Sequence, residues 1–146
     1  MHSSIRVLLV DDHRLLVQSL QRALEVQPDI VIVGSASCAD EAIEKVKELE
    51  PDIVVMDIDM PGQLCFDAAH TITALSPNTR IIYLSGFSSD RYIEAALAAQ
   101  AYGYITKNEP VDTIIDALRS VAAGSAYFSP SILSRIVFDD KPHLAA

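Results

Sequence analysis

Short runs rich in isoleucine and valine recur along this chain, each followed by a longer stretch whose apolar positions keep helical spacing. Five such runs stand out: Ile5 to Val10, Ile30 to Gly34, Ile53 to Met56, Arg80 to Leu84 and Ala101 to Thr106. They are too short for amphipathic helices and apolar almost without a break, the habit of strands buried on both faces of a parallel sheet. Between them Leu16, Leu20 and Leu24 mark one helical stripe. Ala39, Ala42, Ile43 and Val46 mark a second, opened by the capping signal Ser37-x-x-Asp40. A third helix, from Cys65 to Leu75, has the weakest pattern. Ile93, Ala96 and Leu97 mark a fourth, and Val111, Ile114, Ile115, Leu118, Val121 and Ala122 a fifth, with Pro110 near its first turn. Strand and helix alternating five times imply βαβ crossovers. The expected fold class is therefore α/β, a five-stranded parallel sheet, doubly wound.

Beyond Gly124 the pattern changes. Ser129-Pro130 reads as an N-cap followed by proline at the first helical position, opening a short helix whose apolar residues are Ile132, Leu133, Ile136 and Val137. Asp139 to Ala146 show no periodicity and are expected to fray. With 146 residues, half of them hydrophobic, the chain suits one domain, since a chain of this size buries roughly 68–70% of its unfolded surface. Cys38 and Cys65 form neither a disulfide framework nor a C-x-x-C pair, which fits a reducing, cytoplasmic setting. No apolar run approaches the ~20 residues that span a bilayer, so no membrane contact is expected. Eleven basic residues against 20 acidic ones give a net charge of −9, which opposes contact between this segment and the phosphates of DNA.

Ligands of open α/β sheets bind outside the carboxyl ends of the strands, and four of the five expected ends carry a notable polar residue. The first ends in Asp11-Asp12, the third in Asp57, the fourth in Ser85 and the fifth in Lys107. Three carboxylates gathered in one cleft repel one another. The remedies are raised pKa values, a bound cation or the Lys107 ammonium. Mg²⁺ is a natural partner, because it takes oxygen ligands and needs only one or two carboxylates beside a phosphate. An aspartate can also accept a phosphoryl group as nucleophile. That transfer depends mainly on positioning and on neutralising the phosphoryl oxygens, tasks within reach of a cation, Lys107 and the Ser85 hydroxyl.

Four motifs in order then resemble the receiver domain of two-component response regulators over residues 5 to 124. They are Val10-Asp11-Asp12, Val55-Met56-Asp57-Ile58-Asp59-Met60-Pro61-Gly62, Leu84-Ser85-Gly86 and Tyr104-Ile105-Thr106-Lys107. The resemblance implies a flavodoxin-like strand order 2-1-3-4-5. It implies Asp57 as phosphoacceptor and one of the Mg²⁺ residues, Asp12 as a direct Mg²⁺ ligand, Asp11 as a ligand through water, and the Asp59 backbone carbonyl completing the protein's share. Lys107 and Ser85 would hold phosphoryl oxygens, Tyr104 would act as the switch aromatic that moves with Ser85, and Gly86 would leave room for access to the site. The implied donor is a sensor histidine kinase or phosphotransfer protein, with small acyl phosphates as substitutes. The implied role is a phosphoprotein switch in transcription regulation, not an enzyme in the ordinary sense. Its readout would be a surface of helix 4, strand 5 and helix 5, through which a homodimer would form.

Gly124 through Tyr127-Phe128-Ser129-Pro130 is similar to the exit from receivers of the NarL/FixJ type. Residues 1–124 are thus expected as the phosphoacceptor domain and 125–146 as a linker or short C-terminal helix. The DNA-binding output domain expected after it is absent from this chain. Departures from the family pattern are Leu64-Cys65-Phe66 in the loop before the third helix, and Asn108 where proline commonly follows the lysine. A cis bond at that junction is unfavourable, since non-proline cis costs about 2.5–4 kcal/mol. Asp59 and Phe87 occupy positions that tune phosphoryl lifetime in this family.

Each residue also has a plainer reading. Asp11-Asp12 can cap the first helix, Lys107 can be a solvated surface residue, Ser85 a turn residue and Tyr104 a core aromatic. His13 reads as an exposed first-turn residue rather than a metal ligand, and His2, His70 and His143 form no ligand spacing. Two rival functions remain: a pseudo-receiver that binds partners without phosphorylation, and a haloacid-dehalogenase-like phosphatase suggested by Asp57-Ile58-Asp59. The intact set Asp12, Asp57, Ser85 and Lys107 opposes the first. Pro61 after the motif, and its place on a third rather than an early strand, oppose the second.

Overall fold

The alternation of apolar runs and helical stripes resolves into one parallel sheet with helices on both faces in the computed structural model, which describes residues 4–58, 65–86, 90–138 and 142–144. The strands are β1 (Ile5–Val10), β2 (Ile30–Ala36), β3 (Ile53–Asp57), β4 (Arg80–Ser85), β5 (Gly103–Thr106) and β6 (Tyr127–Phe128), in the order β2-β1-β3-β4-β5-β6. Every neighbouring pair is parallel. The flavodoxin-like order is as expected, with a sixth strand added where five were read from the sequence. All of β3 is buried, and β1 and β4 are buried but for one residue each, Arg6 and Arg80. β2 is the exception to continuous burial, because it is the sheet edge and buries only its end residues Ile30 and Ala36.

Five helices connect these strands: α1 (Arg14–Glu25), α2 (Ala39–Leu49), α3 (Cys65–Leu75), α4 (Asp90–Ala98) and α5 (Val111–Ala122). Alternate strand residues face opposite sides, so two cores form. On one side Val17 and Leu24 of α1 and Ile114, Leu118 and Val121 of α5 pack with Val7, Leu9, Val55, Ile82 and Ile105. On the other, Ala42, Val46, Ala69, Ile72, Ile93 and Ala96 from α2, α3 and α4 pack with Leu8, Val54, Met56, Ile81, Tyr83 and Tyr104. No helix among the described residues is long and apolar enough to cross a membrane.

The helix starts depart from the sequence reading in two places. In α1 Leu24 is buried and Leu20 partly buried as expected, but Val17 joins them in the core in place of Leu16, which is 39% exposed. α2 is capped at Cys38 without a side-chain bond, while the Ser37 N–H donates to the Glu41 carboxylate at 3.3 Å. No cis peptide occurs among the described residues.

After α5 the chain returns to the sheet. β6 pairs along β5 with Gly103 beside Tyr127 and Tyr104 beside Phe128. A short helix, α6 (Pro130–Leu133), and an antiparallel hairpin of β7 (Ile136–Phe138) and β8 (Pro142–Leu144) follow, with β8 against α4. Phe128, Ile132 and Ile136 thereby join the core that holds Ile93, Leu97 and Tyr104. Residues 142–144, expected to fray, are strand-paired instead. Ser129 is the N-cap of α6 with Pro130 at its first turn, yet its side chain makes no cap bond. The hydroxyl accepts the Thr106 N–H at 3.2 Å, and the Ser129 N–H donates to the Tyr104 carbonyl at 3.0 Å.

Two substitutions test this packing. A Cβ at Gly103 would stand 2.8 Å from the Tyr127 carbonyl oxygen and 3.2 Å from the Ile82 side chain. Gly103→Ala is expected to cost about 1–3 kcal/mol by forcing β6 away from β5, read as a lower melting temperature. Tyr83 is fully buried against Phe66, with ring centroids 5.2 Å apart, and its hydroxyl has no hydrogen-bond partner among the described residues. Burial pushes its phenol well above the ordinary value. Because an unsatisfied buried hydroxyl costs about 1–3 kcal/mol, Tyr83→Phe is expected to raise the melting temperature.

Candidate functional site

A strand buried on both faces can place a polar side chain only at its end, and the carboxyl ends of β1, β3, β4 and β5 open on one side of the sheet. Asp57 is the last residue of β3, its side chain wholly buried. Asp11 and Asp12 follow β1, and the Asp11 N–H is fixed by the Ala36 carbonyl of β2 at 3.0 Å. Ser85 ends β4 with no exposure. Lys107 follows β5, and its N–H donates to the Ser85 carbonyl at 2.7 Å, while the Ile58 N–H donates to the Leu84 carbonyl at 2.9 Å. The sheet ladder thus continues past the strands and fixes the backbone of the residues that surround the cleft.

The side chains converge accordingly. Lys107 Nζ lies 2.8 Å from Asp57 Oδ1 and 4.0 Å from Asp11 Oδ2. Ligand atoms of Asp11, Asp12, His13 and Asp57 all lie within 4.8 Å of one another. Burial raises the Asp11 carboxyl above its ordinary value; the nearby Asp57 charge acts in the same direction, while the His13 N–H bond and Lys107 oppose it. Three carboxylates facing one ammonium leave an excess of negative charge. Their oxygen donors, two of them nearly inaccessible to water, suit a small hard cation such as Mg²⁺.

The structure therefore brings together Asp11, Asp12, Asp57 and Lys107, with Ser85 at the neighbouring strand end. Tyr104 is fully buried one strand away, in register with Tyr83 and beside Phe128 of β6. Asp59, Met60, Pro61, Gly62, Leu64 and Phe87 lie outside the described residues. Two further residues belong to the neighbourhood. His13, read from sequence as merely exposed, turns Nδ1 to within 3.2 Å of Asp11 Oδ1 and 3.4 Å of Asp12 Oδ1. Ser129, read as a helix cap, holds the end of β5 next to Lys107. The sequence signal for His13 is its adjacency to the acidic pair; Ser129 has none, because its partner is 23 residues away.

Comparison with known proteins places this geometry. Residues 7–119 match the model of the response regulator receiver domain. The transcriptional regulatory protein MctR of Rhizobium johnstonii is 35% identical over 133 residues, covering 91% of this chain and 62% of that protein. The response regulator GacA of Pseudomonas protegens is 34% identical over 134 residues, covering 92% of this chain and 63% of that protein. Among solved structures, a LuxR-family two-component response regulator from an Aurantimonas species superposes with a TM-score of 0.85 at 32% identity, covering 90% of this chain and 94% of that one. The chain spans 57–69% of the length of the curated relatives MctR, GacA, DegU and YvfU.

The raised Asp11 carboxyl carries a pH signature. Its protonated form is favoured by the fold, so it contributes stability below the ordinary value of 3.8 that is lost as pH rises through the higher native value. Asp11→Asn, which mimics the protonated state, is expected to raise the cation-free melting temperature by several degrees at pH 7. Melting curves recorded down to about pH 3 should show that gain shrinking to nothing.

Proposed function

The chain belongs to the response regulator receiver family, a signalling domain of transcriptional regulators rather than an ordinary enzyme, and from that premise we propose that it is switched by phosphorylation of Asp57. The observation that carries this reading is the Lys107 to Asp57 contact of 2.8 Å, made inside a cluster with Asp11 and Asp12 at the strand ends. Asp57 attacks the phosphorus of the donor, its carboxylate forms the new P–O bond, and the donor's nitrogen or oxygen leaves. A sensor histidine kinase or phosphotransfer protein supplies the group; small acyl phosphates substitute, in which case the domain catalyses its own phosphorylation, and it assists its own dephosphorylation.

Asp12, Asp57 and the Asp59 carbonyl would hold a Mg²⁺, with Asp11 through water, and the ion would neutralise charge on the phosphoryl oxygens. Lys107 holds one of those oxygens after its present partner is esterified, and the Ser85 hydroxyl donates to another. The added charge and acceptor oxygens draw both residues to the group and shift a pre-existing equilibrium that Tyr104 reports. Residues 1–124 carry the phosphoacceptor chemistry, and 125–146, whose β6 extends the same sheet, lead toward a DNA-binding output domain; the protein acts in the cytoplasm. A homodimer through α4, β5 and α5 has to be built with β6 and β8 in place, since they lie along β5 and α4.

Intact-mass measurement after incubation with acetyl phosphate tests the assignment. We expect one phosphoryl adduct on the wild-type chain with Mg²⁺, none with a chelator and none on Asp57→Asn. An adduct that survives in Asp57→Asn would overturn the site. No adduct on wild type, together with no Mg²⁺-dependent change on adding beryllofluoride, would favour a pseudo-receiver.

A further inference from the structure

The end of β5 is held from both sides, and one of the two holds comes from beyond α5. On the β4 side the Lys107 N–H donates to the Ser85 carbonyl at 2.7 Å; on the β6 side the Thr106 N–H donates to the Ser129 hydroxyl at 3.2 Å. Ser129 also donates its own N–H to the Tyr104 carbonyl at 3.0 Å. One residue thus bridges two that stand two apart, as in a parallel ladder, with a hydroxyl in place of the next carbonyl. The arrangement forgoes something local. A serine at the N-cap ordinarily turns its oxygen to the first amides of its own helix, but Ser129 makes no such bond. The α6 turn is closed by the Ser129 carbonyl instead, which accepts the Ile132 and Leu133 N–H groups at 2.8 Å each. The residue is fully buried, and its hydroxyl serves β5.

We propose that Ser129 is a positioning residue for Lys107, so that the segment after α5 is a working part of the phosphoacceptor site. The inference rests on the reading of Asp57 as phosphoacceptor and deepens it. Three observations carry it. First, Thr106 directly precedes Lys107, and three bonds fix the point where the lysine stem begins: Thr106 N–H to Ser129, Lys107 N–H to Ser85, and Glu109 N–H to the Thr106 carbonyl at 3.1 Å. Second, the stem has to cross the end of β4 to bring Nζ within 2.8 Å of Asp57 Oδ1, so a small turn at its root is magnified at its tip. Third, the segment that carries Ser129 is itself fastened. Gly103 admits the Tyr127 carbonyl, Phe128 pairs beside Tyr104, and Ile132 is fully buried in the core that holds Tyr104. Group transfer depends steeply on where such a charge stands, since a misplacement of about 1 Å can cost about a hundredfold. Ser129 acts through Lys107 and not on the phosphoryl group. The coupling is reciprocal: whatever displaces Ser129 alters the site, and whatever moves Lys107 is passed to β6.

Two full-chain variants separate positioning from mere stability. Ser129→Ala removes the acceptor of the Thr106 bond; Ile132→Ala loosens the same segment and keeps the Ser129 hydroxyl. Each is compared with wild type by melting temperature, by the rate of adduct formation with acetyl phosphate and Mg²⁺, and by the NMR signal of the Lys107 side-chain ammonium, which reports its surroundings without any phosphoryl group. We expect Ser129→Ala to slow the adduct about fivefold or more and to shift the ammonium signal. Ile132→Ala should lower the melting temperature at least as much, yet keep the rate within about twofold and the signal in place. A rate or an ammonium signal in Ser129→Ala that matches wild type would overturn the proposal, as would equal effects in the two variants. No adduct on wild type would overturn the phosphoacceptor reading instead, and the ammonium signal alone would then decide whether Ser129 sets Lys107.

Discussion

A carboxylate at the end of a strand buried on both faces has lost its water, and something in the fold must replace that solvation. Here Lys107 does so for Asp57, at 2.8 Å. The pair is not between neighbouring strands: β4 lies between β3 and β5. It therefore spans the end of β4, where Ser85 sits fully buried, and its geometry depends on the lateral spacing of three strands at once. The backbone bonds from Lys107 to Ser85 and from Ile58 to Leu84 hold that spacing past the regular ladder. The rest of the domain can be understood as keeping one ion pair at one distance.

The cleft around that pair carries more negative than positive charge. Asp11 expresses the imbalance as a raised carboxyl, with burial as the main cause, and Asp12, 30% exposed, meets solvent at the rim. A bound cation would relieve that imbalance, and the electrostatic state of the cleft and the position of Lys107 cannot change independently.

Most of this was legible in the sequence because its signals are local. Continuous apolarity identified β1, β3, β4 and β5, and the polar residues after these runs are the ones the structure gathers at the carboxyl ends of the strands. What was not legible depends on partners distant along the chain. β6 is two residues long and has no periodicity to detect, and it exists because Gly103 lets the Tyr127 carbonyl approach. Ser129 is the N-cap that the pattern indicated, but its hydroxyl bonds Thr106 rather than its own helix, which no local pattern signals. In α1 Val17, not Leu16, joins Leu20 and Leu24 against the sheet. His13 looked like surface, and only the path of the chain between β1 and α1 turns its ring back to the carboxylates.

The attachment of β6 also has a mechanical meaning. Two register pairs and one serine fasten the segment after α5 to β5, and the serine's bond to Thr106 is one peptide away from Lys107. Strands joined in parallel and pulled along their length share the load in shear, so tension that arrives at Ser129 is delivered to β5 as a whole. The lysine that senses the buried carboxylate is therefore also the first side chain downstream of that load. A tug and a charge are felt by the same few bonds.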